Sequence, residues 1–128
     1  MNEIMFDTDV LVYLHRGLEE SERFFDNLPE ESVLHISVIT TMELVSGCKD
    51  KGEQRKMEEL TSDFSILPIS CEESLKAYEL YVQFYLTHGI GILDCLIGST
   101  AITHNLPLYT KNVRHFKILP GLETKKPY

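Results

Sequence analysis

Paired cysteines, a surplus of basic charge and a long apolar run are all missing from this 128-residue sequence, and each absence removes a class of protein. The three cysteines, Cys48, Cys71 and Cys95, are odd in number and include no C-x-x-C pair. That excludes a disulfide framework and a zinc knuckle, and points to a reducing cytoplasm. Each cysteine lies among apolar neighbours and is expected as a small core residue. Twelve Lys and Arg face twenty Asp and Glu, a formal net charge of -8, so nucleic acid is not held by bulk attraction alone. No stretch reaches the ~18 uninterrupted apolar residues of a membrane span. The opening residues lack the basic start and long apolar segment of a signal peptide. Repeats, low-complexity tracts and Pro/Gly/Ser-rich linkers are absent too, so one continuous domain over residues 1–128 is expected.

What is present is an alternation. Ile4-Met5-Phe6 is a short apolar run that ends at Asp7 and hands over to a helix through Val10, Leu11 and Leu14. Residues 19–28 have helical spacing. Val33-Leu34-His35-Ile36 reads as a second strand, followed by a helix with Ser37 as N-cap and Gly47 at its end. A charged helix covers about residues 51–62, and Phe64 to Ile69 is a third strand whose Pro68 suits a sheet edge. Ser70 and Glu73 form a capping box for a helix to about Leu86. Gly89 and Gly91 separate it from a helix over about 92–104, Leu108-Tyr109 is a fourth strand, and Ile118-Leu119 is expected as a short fifth. The fold class is therefore α/β, with a central parallel sheet of four to five short strands covered by helices on both faces. Ligands of such sheets bind beyond the carboxyl ends of the strands.

Three acids stand out by their apolar surroundings. From Leu80 through Thr110, 31 positions, Asp94 is the only formal charge. A carboxylate buried there must be paired, hydrogen-bonded or bound to a metal; a helix N-terminal acid is the plain structural alternative. Asp7 follows the first strand directly and also reads as an N-cap. Glu43, four residues past Ile39, shares the edge of an apolar stripe, a place that also suits a surface glutamate. All three can converge at one end of a parallel sheet. Clustered carboxylates repel one another unless a cation sits among them, and oxygen ligands without His or Cys suit magnesium or manganese. Charge is uneven as well: residues 105–128 carry a local +4, which leaves -12 on residues 1–104. A basic tail on an acidic body can hold a phosphate chain against an acidic site.

At these residues the sequence resembles the PIN domains, and within them the VapC-type toxins of prokaryotic toxin–antitoxin pairs. The blocks run in the family's order over nearly the whole chain: Asp7-Thr8-Asp9-Val10-Leu11, then Glu43-Leu44 with Gly47, then Asp94-Cys95-Leu96-Ile97-Gly98-Ser99-Thr100-Ala101, similar to a D-x-x-I-A-A-x-A helix. The last is Leu108-Tyr109-Thr110-Lys111-Asn112-Val113-Arg114-His115-Phe116. The resemblance implies a three-layer α/β/α PIN-like fold and a metal-dependent endoribonuclease that hydrolyses RNA with a metal-activated water, leaving a 5′-phosphate and a 3′-hydroxyl. Carried over by position, Asp7, Glu43 and Asp94 would bind Mg2+ or Mn2+, Asn112 would take the fourth catalytic place, and Thr110 and Asp9 would support them. Lys111, Arg114 and Lys117 follow closely and would steady the RNA backbone. A cognate antitoxin, a homodimer and a cytoplasmic location are implied with the family. Leu14, Leu18, Phe24 and Phe25 on the early helices are candidates to dock the antitoxin. Tyr13, Tyr78, Tyr81 and Tyr85 read as core or interface residues.

Two departures are visible. Gly98 and Ser99 replace a commonly alanine-rich pair, and Asn112 brings no charge to a second metal site. Two rival readings exist. Asp7-Thr8-Asp9-Val10 resembles the D-x-D-x-[TV] motif of haloacid-dehalogenase-type phosphatases, but the later acidic pair of that family has no counterpart here. The other is a non-catalytic PIN-fold module that acts through a partner.

Overall fold

Ile4, Met5 and Phe6 are buried on both sides, as a strand in the middle of a two-faced parallel sheet requires. The structure, a computed structural model, describes residues 2–128. Strand β1 (Glu3–Phe6) leads into α1 (Thr8–His15) and α2 (Glu19–Asp26), and β2 (Val33–Ser37) into α3 (Val38–Ser46) and α4 (Lys51–Thr61). Then follow β3 (Ser65–Leu67), α5 (Cys71–His88), α6 (Ile92–Thr103), β4 (Leu108–Tyr109), α7 (Val113–Phe116) and β5 (Thr124–Lys125). The strands lie in the order β3-β2-β1-β4-β5, all parallel. The chain thus builds outward from β1 in one direction, then returns to its other side with β4. The crevice beyond β1 and β4 is the topological switch point, where open parallel sheets bind ligands.

The period-2 alternation of β1 sorts the molecule into two cores. Ile4 and Phe6 face one layer with Val10, Leu11, Ile36, Leu44 and Phe64. Met5 and Leu108 face the other with Ala77, Leu80, Ile90, Ile97 and Phe116. This is the three-layer α/β/α arrangement expected from the sequence. Phe24 packs edge-on against Phe6 and Phe25, and Phe25 lies tilted against Phe6, with ring centroids 5.1–6.2 Å apart, so both belong to the first core. Among the described residues no helix is long and apolar enough to cross a membrane.

The longest helices, α5 and α6, form an antiparallel pair joined by a left-handed Gly89 (φ 66°), which only a residue without Cβ adopts freely. Glu73, the capping-box residue of α5, is buried at 1% exposure and accepts from the Ser70 N–H and the Thr100 hydroxyl. Its other oxygen lies 2.8 Å from His104 Nε2 at the far end of α6. Pinned at that end, α6 carries Asp94 in its first turn to the switch point.

Two expectations are corrected. Ile118-Leu119 is not a strand: Pro120 and the left-handed Gly121 (φ 82°) turn the chain there, Leu119 enters the core at 1% exposure, and β5 forms later at Thr124–Lys125. Of the three cysteines only Cys95 is buried; Cys71, the first residue of α5, is exposed and Cys48 half-buried. Gly98 also proves to be a packing requirement. A Cβ there would come within 2.6 Å of Leu119 Cδ1, on a buried side chain with little room to yield. Gly98→Ala is therefore expected to destabilise the protein by roughly 1–3 kcal/mol despite alanine's better helix propensity, measured as a lower urea midpoint.

Candidate active site

The site grows from the ends of two neighbouring strands. Asp7 leaves β1 in an extended conformation (φ -75°, ψ 158°) and caps α1, its Oδ1 accepting from the Thr8 N–H at 2.8 Å. Its Oδ2 accepts from the Thr110 hydroxyl at 2.8 Å, just past β4. Thr110 is fully buried and in turn accepts from the Asn112 N–H at 2.9 Å. Asp7 is thus both things its position allowed, a helix cap and a buried acid at a strand mouth.

Thr8 extends the network toward α3. Its hydroxyl lies 2.5 Å from Glu43 Oε1 and 3.0 Å from Thr40 Oγ1. Asp9, in the first turn of α1, accepts from the Lys111 N–H at 3.2 Å. Asp94 arrives from α6, with Oδ2 2.8 Å from His115 Nε2. The fold therefore brings Asp7, Asp9, Asp94 and Thr110 together, with Glu43 attached through Thr8. Each acid has a donor that fixes it, while Asp94 Oδ1 and Glu43 Oε2 have no hydrogen-bond partner among the described residues.

Electrostatics mark Asp7 as the centre. Burial, with Asp9 beside it and Asp94 nearby, pushes its carboxyl from the ordinary 3.8 up to about 7, against the pull of Thr110 and the Thr8 N–H. Burial also raises Asp9, while the Lys111 N–H lowers it. Burial raises the Cys95 thiol, helped by Asp94, to about 11, so that cysteine is a protonated core residue and no nucleophile.

As they stand, no three His, Cys, Asp or Glu side chains among the described residues converge closely enough to hold an ion. Their chemistry nevertheless fits a hard divalent cation. The donors are all oxygens, and Asp7 is held above its ordinary range partly by neighbouring negative charge that a cation would offset.

Residues 4–121 match the PIN domain family. The chain belongs to that family. Curated relatives include Ribonuclease VapC10 of Mycobacterium tuberculosis, 32% identical over 125 residues, 97% of this chain and 91% of that protein. Ribonuclease VapC of Rickettsia bellii is 31% identical over 128 residues, 94% of this chain and 92% of that protein. Among solved structures, VapBC2 from Rickettsia felis bound to a DNA fragment from their promoter superposes with a TM-score of 0.83 at 29% identity, covering 97% and 98% of the two chains. A toxin–antitoxin complex from Klebsiella pneumoniae gives 0.78 at 29% identity, covering 98% of each. Membership in the PIN family displaces the phosphatase reading of Asp7-Thr8-Asp9.

Not every residue of this PIN domain stands where its motif suggested. Asn112 is exposed, and the bonds of the site involve its backbone N–H rather than its amide. The Lys111 ammonium lies 4.0 Å from the centre of the Tyr128 ring and 5.9 Å from that of Tyr13, a cation–π seat that engages it. Arg114 and Lys117 are exposed on and just beyond α7. Thr8 and His115 escaped the sequence reading: Thr8 looked like a spacer between two acids, and His115 meets Asp94 only once α7 has turned.

The raised Asp7 has a definite sign in stability. Between 3.8 and about 7 the folded chain binds more protons at Asp7 than the unfolded chain does, so without metal this group makes the fold less stable as pH rises through that window. Asp7→Asn keeps a capping oxygen and removes the charge. In EDTA at pH 8 it is expected to stabilise the protein by roughly 1–3 kcal/mol and to flatten the pH dependence, read from urea unfolding at pH 5 and pH 8.

Proposed function

We propose that the chain is a metal-dependent endoribonuclease, the toxin of a toxin–antitoxin pair, that hydrolyses RNA phosphodiester bonds at the switch point. One observation carries the reading: the buried Asp7 at the mouth of β1 is bonded to Thr110 beyond β4, with Glu43 tied to the same corner through Thr8, in a chain about a third identical to proteins named Ribonuclease VapC. Asp7, Glu43 and Asp94 would hold Mg2+ or Mn2+. When bound, the cation supplies the charge that makes water nucleophilic at neutral pH and offsets charge on the departing oxygen.

The remaining work falls to this chain's own side chains. Thr8 and Thr110 orient Asp7 from both sides, and Thr8 also holds Glu43, so two acids share one positioning residue. His115 holds Asp94 by one oxygen, and the other has no hydrogen-bond partner among the described residues. Such outer contacts fix ligand geometry before a cation arrives. Asp9, bonded to the Lys111 N–H, adds negative charge at the rim.

Partner surfaces fit the same reading. A groove of about 530 Å³ is lined by Val12, Arg16, Leu44 and Met57 together with the acids Glu43 and Glu53, so an antitoxin segment seated there would cover Glu43. Of the early-helix candidates, Leu18 is exposed, whereas Phe24 and Phe25 are committed to the core. On α5, Leu75, Tyr78, Val82, Tyr85 and Leu86 are 49–89% exposed at three- and four-residue spacing, an outward apolar stripe suited to a second copy of the chain. With RNA as substrate and all three cysteines free, the cytoplasm is the proposed location.

A manganese titration of the partner-free protein tests the metal site directly, without knowledge of the RNA. Saturable binding should be lost in Asp7→Asn and in Asp94→Asn. Asp94→Asn should also abolish RNA cleavage while keeping the wild-type circular dichroism spectrum. Binding unchanged in both variants would favour the non-catalytic module instead.

A further inference from the structure

Beside the acidic cluster lies a second, oppositely equipped cavity. Its volume is about 270 Å³ and its lining is His88, Asn112, Arg114, His115 and Ile118. No carboxylate lines it, although the chain carries a formal net charge of -8. Asp94 is the only acidic side chain between Leu80 and Leu122, and its Oδ2 is bonded to His115 Nε2. The cavity therefore adjoins the proposed cleavage site through one side chain, His115, while presenting only nitrogen-bearing polar groups and one aliphatic wall.

His88 comes from outside the acidic motifs. It is the last residue of α5, its ring packs edge-on against Phe84 at 5.7 Å, and its Nδ1 lies 2.8 Å from Thr87 Oγ1. Those contacts hold the ring by one nitrogen and leave Nε2 for a ligand. Arg114 brings a planar fork of donors suited to phosphate oxygens, and Asn112 brings an amide. Of the two lysines three residues from Arg114, Lys111 is engaged by the Tyr13 and Tyr128 rings and Lys117 does not line the cavity.

We propose that this cavity seats a phosphodiester group of the RNA strand next to the one that is cut, with His88 and Arg114 as its principal donors and Asn112 as a neutral one. The proposal rests on the nuclease reading and adds a position to it: the strand crosses the acidic cluster and anchors one nucleotide away, over α7 and the end of α5. Asn112 thereby gains a role that its exposed amide suits better than metal ligation does.

The test is binding of a short, fluorescein-labelled single-stranded RNA of mixed sequence, in EDTA to prevent cleavage, over a range of potassium chloride concentrations. His88→Ala and Arg114→Ala should each weaken binding several-fold, and the double variant should lose about 0.7 from the magnitude of the log–log salt slope for the one phosphate contact removed. Lys126→Ala, which removes a charge elsewhere in the basic tail, should change affinity much less. In the wild type, inorganic phosphate should shift the His88 ring signals in NMR, and Arg114→Ala should abolish that shift. Wild-type affinity and slope in the double variant, with its circular dichroism spectrum intact, overturn the proposal, as does an equal loss in Lys126→Ala. Displacement of the RNA by poly-glutamate more readily than by phosphate also overturns it, by marking a carboxylate site. A wild-type protein that neither binds nor cuts RNA overturns the nuclease reading itself, an outcome distinct from the first three.

Discussion

The Asp7 carboxylate, only 7% exposed and flanked by the charges of Asp9 and Asp94, is the group around which the rest of the structure is arranged. An acid in that place costs free energy unless its oxygens are satisfied. One oxygen is taken by the first N–H of α1 and the other by a hydroxyl beyond β4. The same two bonds fix the start of a helix and join the ends of adjacent strands. What remains is the cost of burial, increased by the neighbouring charges, which together raise the carboxyl to about 7. A fold that keeps a buried acid beside like charges gives up stability at neutral pH, a cost that a cation at the proposed site would offset.

The elements surrounding this group reach it by different routes. α1 and β4 act through Asp7 itself, α3 through the Thr8 hydroxyl, and α6 through a helix pinned at its far end by Glu73 and His104. Gly98 lets Leu119 close against α6, so the turn after α7 and the helix bearing Asp94 are held in one packed layer. Beside Asp94, the His88–Arg114 cavity is lined by nitrogen-bearing groups instead of acids, as the proposed path of a phosphate chain would need.

Much of this was legible in the sequence, for identifiable reasons. Ile4-Met5-Phe6 of β1 is an uninterrupted apolar run, and β2 is broken only by His35, because both faces of a parallel sheet are covered. Ser37, Ser70 with Glu73, and Gly47 cap the helices they were expected to cap. Asp94 stood out as the one acid in a long uncharged stretch, although its side chain is half-buried and its bond to His115, not full burial, is what the structure gives it. Other features depend on tertiary placement. Ile118-Leu119 has the composition of a strand, but the Pro120-Gly121 turn and the space opposite Gly98 make it a core plug. Cys71 begins a helix on its exposed side. Lys111 shares its neighbourhood with Arg114 in sequence, yet two tyrosine rings, one of them from residue 128, remove it from the shared face. Thr8 and His115 act through partners 35 and 21 residues away, distances at which no local pattern speaks.

The bond between Thr110 and Asp7 spans 103 positions of the chain. A ribosome adds Thr110 only 103 residues after Asp7. Sheet formation follows the same timetable, because β1 obtains its second neighbour only when β4 arrives. During translation the first acid of the cluster is an ordinary solvated aspartate, with neither its buried environment nor its partner from α6. Asp7 and its partner beyond β4 therefore meet only after β4 has been made, so topology sets when this corner of the fold can form.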